Sequence, residues 1–242
     1  MKWEFTPDEF MHVWKETDKD RYPYPLQLRS SAQWQSDYDR THSELRMRMP
    51  RGFDPDLSAA LRIVANPPMS LLVTGTRKRP VRFYAGIDTT AGVTLVQRPS
   101  PADEHGGSVV VEFGSSAIVT KVFAAVLGKL PAGRHPAMIE SLDRIRTDIE
   151  SWTGTKETTT DRMKKLLKAR RAGSGHIEVR CGLHDSRPYP PQYSSWFDVE
   201  GDGRYTYRQQ YNDFRIDPAS TDDICREVTR MMDVQQEFAR ID

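Results

Sequence analysis

The sequence predicts an α+β fold in which two sets of strands, each closed by a helix, share one antiparallel sheet. From Met69 to Val111 apolar residues recur at every second position, the period of half-buried strands. A second stretch with that period runs from Ile177, through the glycine turn Glu200-Gly201-Asp202-Gly203, to Ile216. After each stretch the spacing becomes helical, first in Val119, Val122, Phe123, Val126, Leu127 and Leu130, then in Ile224, Val228, Met231, Val234, Phe238 and Ile241.

The chain opens with a helix start. Thr6 stands as N-cap, Pro7 at the first helical position and Glu9 three residues after the cap, with Phe5 placed to pack on Phe10. Met1–Glu9 therefore reads as the beginning of a helix whose buried stripe is Phe10, Val13 and Trp14. Tyr22-Pro23-Tyr24-Pro25 cannot continue it, because proline lacks an amide proton and biases its predecessor to extended geometry, so Leu26 to Arg29 is expected as a short edge strand. Ser31 to Met49 puts Trp34, Tyr38, Thr41, Leu45 and Met49 on one helical face. Asp54-Pro55-Asp56 caps and starts the next helix, which buries Leu57, Ala60, Leu61 and Val64 and stops at Asn66-Pro67-Pro68.

The alternation from Met69 implies a meander of about four strands, with Gly75 to Pro80 as its first connecting loop and Asp88 to Gly92 as a short turn. A helix from Ser115 to Leu130 follows and ends at Pro131 and Gly133. Over 132–174 the pattern suggests a helix near Met138 to Trp152, a break at Gly154-Thr155, a helix near Thr159 to Ala172 and a turn at Gly173-Ser174-Gly175. Ile177, Val179, Cys181 and Leu183 then alternate with polar residues. Tyr193 to Val199 and Arg204 to Tyr211 form a hairpin, Phe214 and Ile216 add a last strand, and Asp217-Pro218 repeats the cap-then-proline start before the final helix. The chain is expected to form a single domain, 1–242, with an N-terminal half at 1–131 and a C-terminal half at 132–242.

The charge is balanced, 35 Lys plus Arg against 34 Asp plus Glu, which gives no field for a nucleic-acid or anionic-membrane partner. The longest apolar run, Ala117 to Leu127, contains Lys121 and is shorter than the ~20 residues that cross a bilayer. Two widely separated cysteines fit a reducing compartment, and the acidic residues near Met1 leave no export signal, so the expected location is cytoplasmic.

The chemical motifs are sparse. Asp198-Val199-Glu200-Gly201-Asp202-Gly203 imitates the start of a calcium loop, but Gln209 stands at the twelfth position, where a bidentate carboxylate is needed, and the flanks read as strands. Cys181 with His184-Asp185 could form a thiol–imidazole pair, yet Cys181 continues the apolar side of its strand. No Walker loop, dinucleotide fingerprint, HExxH or GxSxG occurs, so neither catalysis nor a cofactor or metal is expected. Lys164, Lys165, Lys168, Arg170 and Arg171 form a basic stretch around Met163, Leu166 and Leu167 that reads as a solvated face, since no aromatic residues interleave to stack bases. Two competing readings stand beside the binding one: a small-molecule enzyme assembled near Cys181, His184 and Asp198, and a regulatory module using the basic helix 159–172.

The order of motifs carries a resemblance over nearly the whole chain. The capped opening helix with Phe10 and Trp14, Arg21-Tyr22-Pro23-Tyr24-Pro25-Leu26, Asp54-Pro55-Asp56-Leu57, Ser195-Trp196-Phe197-Asp198 with Asp202-Gly203-Arg204-Tyr205, and Asp217-Pro218-Ala219 together resemble the EspG family of ESX, or type VII, secretion-associated proteins. The resemblance implies a central antiparallel sheet flanked by two helical bundles with quasi-twofold halves. It implies a cytosolic chaperone that caps the apolar tip of the PPE subunit of a PE–PPE heterodimer, acting as a monomer or weak homo-oligomer. By position it carries partner contact to Arg77, Lys78 and Arg79 in the Gly75–Pro80 loop and to Ile224, Val228, Met231 and Met232 in the last helix. Methionines at such a surface would suit variable partner side chains.

Overall fold

The doubled pattern becomes one ten-stranded antiparallel sheet in a computed structural model, which describes residues 1–101, 105–147, 157–183 and 188–241. Among these residues the elements run β1 (Lys2–Phe5), α1 (Pro7–Trp14), α2 (Gln35–Arg48), α3 (Pro55–Ala65), β2 (Met69–Arg77), β3 (Arg79–Asp88), β4 (Ala91–Pro99), β5 (Gly106–Ser115), α4 (Ala117–Leu127), β6 (Met138–Ser141), α5 (Leu142–Arg146), α6 (Thr159–Lys168), β7 (Arg171–Cys181), β8 (Gln192–Val199), β9 (Arg204–Gln210), β10 (Asp213–Pro218) and α7 (Thr221–Ile241). No helix among the described residues is long and apolar enough to cross a membrane.

Strand order is β1-β5-β4-β3-β2-β7-β8-β9-β10-β6. Counted outward from the central β2–β7 pair, both sides match: a four-strand meander, then on the rim a short strand drawn from earlier in the chain. The closing helices α4 and α7 lie on the same face, where Phe123, Leu127, Ile224 and Val228 share one core with Leu71, Phe83, Ile177 and Trp196. The opposite face carries two separate cores. One packs α1 and α3 through Phe10, Trp14, Leu57 and Leu61 onto Val93, Leu95 and Val111; the other packs α6 through Met163 and Leu166 onto Phe197, Tyr205 and Ile216. Alternation along each strand sends neighbouring residues to these two faces, so Phe83 and Tyr84 lie in different cores.

Local chemistry explains most boundaries. Thr6 and Glu9 form a reciprocal capping box at α1, and Asp54 accepts from the amides of Asp56 and Leu57 at α3. α4 stops at Gly128, whose φ of 70° is left-handed, before the proline expected to end it.

Several expectations are corrected. Lys2–Phe5 is an edge strand against β5 and not part of the first helix. Leu26–Arg29 forms no strand: the backbone of Gln27 is satisfied by the side chain of Gln97, which accepts from its N–H and donates to its carbonyl, both at 2.8 Å. Met138–Ser141 is a strand because β10 pairs with it, and only the five-residue α5 follows; Trp152 and the Gly154-Thr155 break lie outside the described residues. The second expected helix ends at Lys168, and Gly173-Ser174-Gly175 is strand, opposite Gly75 and Thr76 of β2. Asp217-Pro218 stays in β10, where Asp217 pairs with Arg215, and α7 is capped instead by Ser220, whose hydroxyl accepts from the Asp223 amide. The α2 face is only half covered. Leu45 and Met49 are buried, whereas Trp34 is 72% exposed and Tyr38 40%.

Tyr84 provides a test of the core between α3 and the sheet. Burial pushes its phenol up to about 12, with a hydrogen bond from Ser70 acting the other way. The unfolded chain loses this proton near its ordinary value of about 10, so the stabilisation is complete below that pH and is lost as pH rises towards about 12. In urea unfolding across that range, wild type is expected to lose about 2–3 kcal/mol more than Tyr84→Phe. Parallel alkaline profiles for the two proteins would show that Tyr84 is not sequestered.

Candidate partner-binding surface

The tip of the β2–β3 hairpin is ladder almost to its last residue. Thr76 pairs with Pro80 and Arg77 with Arg79, leaving Lys78 at the turn with φ 58°. The expected Gly75–Pro80 loop is thus strand, because β7 holds β2 from its other side as far as Thr76. Lys78 and Arg79 are exposed. Arg77 turns back: its Nη1 donates to Leu127 O over 2.5 Å and its Nε lies 3.5 Å from the Asp198 carboxylate. Arg77 fastens the tip, and of its three basic residues Lys78 and Arg79 are the displayed pair.

Beneath the tip lies a buried polar junction. Arg204, fully buried, donates from Nε to Asp198 Oδ1 at 2.6 Å and from Nη2 to Asp198 Oδ2 at 3.0 Å, a bidentate pair. Its remaining protons reach Leu127 O at 2.9 Å, Gly128 O at 3.2 Å and Thr221 Oγ1 at 2.9 Å. One side chain therefore binds the β8–β9 hairpin, the carbonyl end of α4 and the first residue of α7. This consumes Asp198, so the calcium-loop imitation is a hairpin turn with Gly201 at φ 74°.

The last helix separates the expected contact residues. Ile224, Val228 and Met231 are buried against the sheet and against α4, where their inward side chains seat α7. Met232 is half-buried on a flank of the helix that it shares with Cys225, seven residues earlier. Gln235, not Val234, continues the buried stripe. Its side chain accepts from the Cys181 amide and donates to Pro190 O, both at 2.8 Å, which ties α7 to the end of β7.

Between α7 and strands β8 to β10 runs a groove of about 260 Å³, whose lining includes Tyr193, Arg208, Arg215, Ala219, Asp223 and Glu227. Tyr193 is 62% exposed at its mouth. Burial holds the Cys225 thiol up, with Asp222 adding to it, the direction opposite to an activated thiolate. The groove was not anticipated from the sequence, although a signal existed: with Phe214 and Ile216 turned to one face of β10, Arg215 and Asp217 must occupy the other.

The described residues of the competing sites are engaged elsewhere. Cys181 is buried in β7, Asp198 is committed to Arg204, and His184 and Asp185 lie outside the described residues. On α6 the apolar side is inward. Lys164 donates to Thr147 O, and beyond the helix Arg170 pairs with Glu200 at 2.8 Å while the Arg171 guanidinium sits 5.0 Å over the Phe197 ring.

A family model described as the EspG family matches residues 6–230. Among solved structures, the Mycobacterium tuberculosis type VII secretion system chaperone EspG5, in complex with a PE25-PPE41 dimer, matches with a TM-score of 0.65 at 13% identity, covering 96% of this chain and 96% of that one. At that identity the likeness establishes the fold alone. No curated protein matches.

Proposed function

The chain belongs to the EspG family, and from that premise we propose that it is a cytoplasmic chaperone of ESX type VII secretion that binds PE–PPE heterodimers. It holds the apolar tip of the PPE subunit, keeps the pair soluble and directs it to its secretion system. It acts by binding and not by catalysis. The observation that carries this reading is the family match over residues 6–230, and the likeness in fold to a chaperone solved with a PE–PPE dimer supports it. Residues 1–131 and 132–242 act as two halves of one folding unit.

The contact surface we assign is Lys78 and Arg79 at the hairpin tip, the half-buried Met232 on the flank of α7, and Tyr193 beside the groove. Arg77, Ile224, Val228 and Met231 serve it from beneath by fixing the tip and the helix. Shielding an apolar client requires removing its area from water, and reversible release requires few anchors and moderate area.

Co-expression with a cognate PE–PPE pair tests this. Met232→Glu and the double variant Lys78→Glu/Arg79→Glu are expected to reduce co-purification at least about tenfold, since a desolvated charge or a reversed one opposes docking, while urea unfolding of the double variant, whose residues are exposed, stays near wild type. Undiminished capture by both variants would place the surface elsewhere. Failure of the wild-type chain to retain any PE–PPE pair from its native cell would remove the function itself.

A further inference from the structure

A separate cluster of titratable groups lies where α2 crosses α1. α2 is thinly anchored: of its 14 residues only Leu45 is buried, with Met49 at its C-cap. Polar contacts complete the docking. His12 Nε2 donates to Met49 O over 2.8 Å, Arg48 pairs with Glu9, and Lys15 Nζ donates to Nε2 of His42. Beside them opens a cleft of about 320 Å³ whose lining includes His12, Lys15, Glu16, His42, Arg46 and Arg51.

The charge in this cleft is unbalanced. Glu16 is already engaged, accepting from the Gly52 amide at 2.9 Å and the Ser58 hydroxyl at 2.6 Å. Arg51 is answered by Asp18 at 2.9 Å. The neighbouring carboxylates are also committed, Asp8 to the Ser31 amide and Glu9 to Arg48 and the Thr6 amide. Lys15 and Arg46 have no carboxylate partner among the described residues, and His12 Nδ1 is buried with no hydrogen-bond partner. Burial, and then Lys15, Arg46 and His12, hold His42 below the ordinary histidine range, in keeping with a site of positive potential.

We propose that this cleft binds a tetrahedral oxyanion of the phosphate class, held by Lys15, Arg46 and His42 between α1 and α2. Such an ion offers several acceptors to an ammonium and a guanidinium fork and replaces a repulsive cluster with charge-assisted hydrogen bonds. It also spans both helices, adding a polar bridge where apolar anchoring is sparse. Lys15 and Arg46 are exposed, so screening limits the expected affinity to the millimolar range.

The test titrates the full chain with inorganic phosphate at fixed pH and constant ionic strength, following the imidazole C–H resonances of His42 by NMR. The expected result is a saturable displacement toward the imidazolium position, weakened about tenfold or more in Lys15→Gln or Arg46→Gln, with circular dichroism unchanged in both. A second arm uses phosphoserine: tighter binding than inorganic phosphate assigns an esterified source, and weaker binding assigns the free ion. A linear drift that sodium chloride reproduces, or saturation undiminished in both variants, overturns the site.

Discussion

Replacing Arg204 by leucine is expected to lower the unfolding free energy by about 3–5 kcal/mol, the range for removing one partner of a buried ion pair. The side chain is fully buried, and its removal leaves the Asp198 carboxylate, which is 1% exposed, to the longer 3.5 Å contact with Arg77. It also removes one of two donors from each carbonyl that closes α4, leaving Leu127 O to Arg77 and Gly128 O to Thr221. Burial of the carboxylate is tolerable because the guanidinium answers it over two short hydrogen bonds, and a charged acceptor left with a weaker partner costs more than a neutral one. The double variant Asp198→Leu/Arg204→Leu should recover part of the loss, since an apolar pair leaves no uncompensated charge. Arg134→Ala provides the contrast: its pair with Asp202 is 3.0 Å long but the arginine side chain is 77% exposed, and the expected cost is about 0–1 kcal/mol. Urea denaturation decides it. A loss below about 1 kcal/mol for Arg204→Leu would mean that the junction does not hold the closing helices.

Gly175→Val is expected to be comparably damaging, for a steric reason. A Cβ at this position would stand 2.2 Å from the Trp196 ring and 2.4 Å from the backbone oxygen of Thr74. Trp196 is wholly buried in the core beneath α7, and Thr74 belongs to β2, so neither yields without moving the sheet. Gly175 faces Gly75 across the β2–β7 ladder, the pairing that joins the two halves of the sheet, and a Cβ on Gly75 would likewise meet Ser174 O at 2.3 Å. Overpacking commonly costs about 1–3 kcal/mol, and here a backbone oxygen and a buried indole resist together, so about 3 kcal/mol or more is expected. Gly114→Ala is the control, since its nearest neighbour would be Ile118 Cδ1 at 3.5 Å, an ordinary contact. Equal unfolding midpoints for the Gly175 and Gly114 variants would show that the seam has room to spare.

These two sites also mark how far the sequence could be read. The meanders, α3 and its four buried residues, and the hairpin at Gly201 followed from period and turn chemistry, because these elements bury a regular face. β1 and β6 did not, since strands of four residues on a rim take their conformation from the neighbour that pairs with them, β5 or β10. Glycine at 173 and 175 signalled a turn, whereas its role is to admit Arg77 and Trp196 close to the backbone. The candidate surface was legible in order but not in orientation. The helical stripe Ile224, Val228, Met231 follows from spacing, whereas its assignment to partner contact comes from its position in the resembled family, and the sheet and α4 bury it. Trp34 and Tyr38 show the converse: spacing defines a face but not whether anything covers it.

The two faces of the sheet differ in one further respect. Because a single apolar core runs under both α4 and α7 while the reverse side holds two separate ones, bending the sheet disturbs different packing in its two senses. Flexure about the β2–β7 line can part α3 from α6 without exposing a continuous core, but cannot part α4 from α7 without tearing one open.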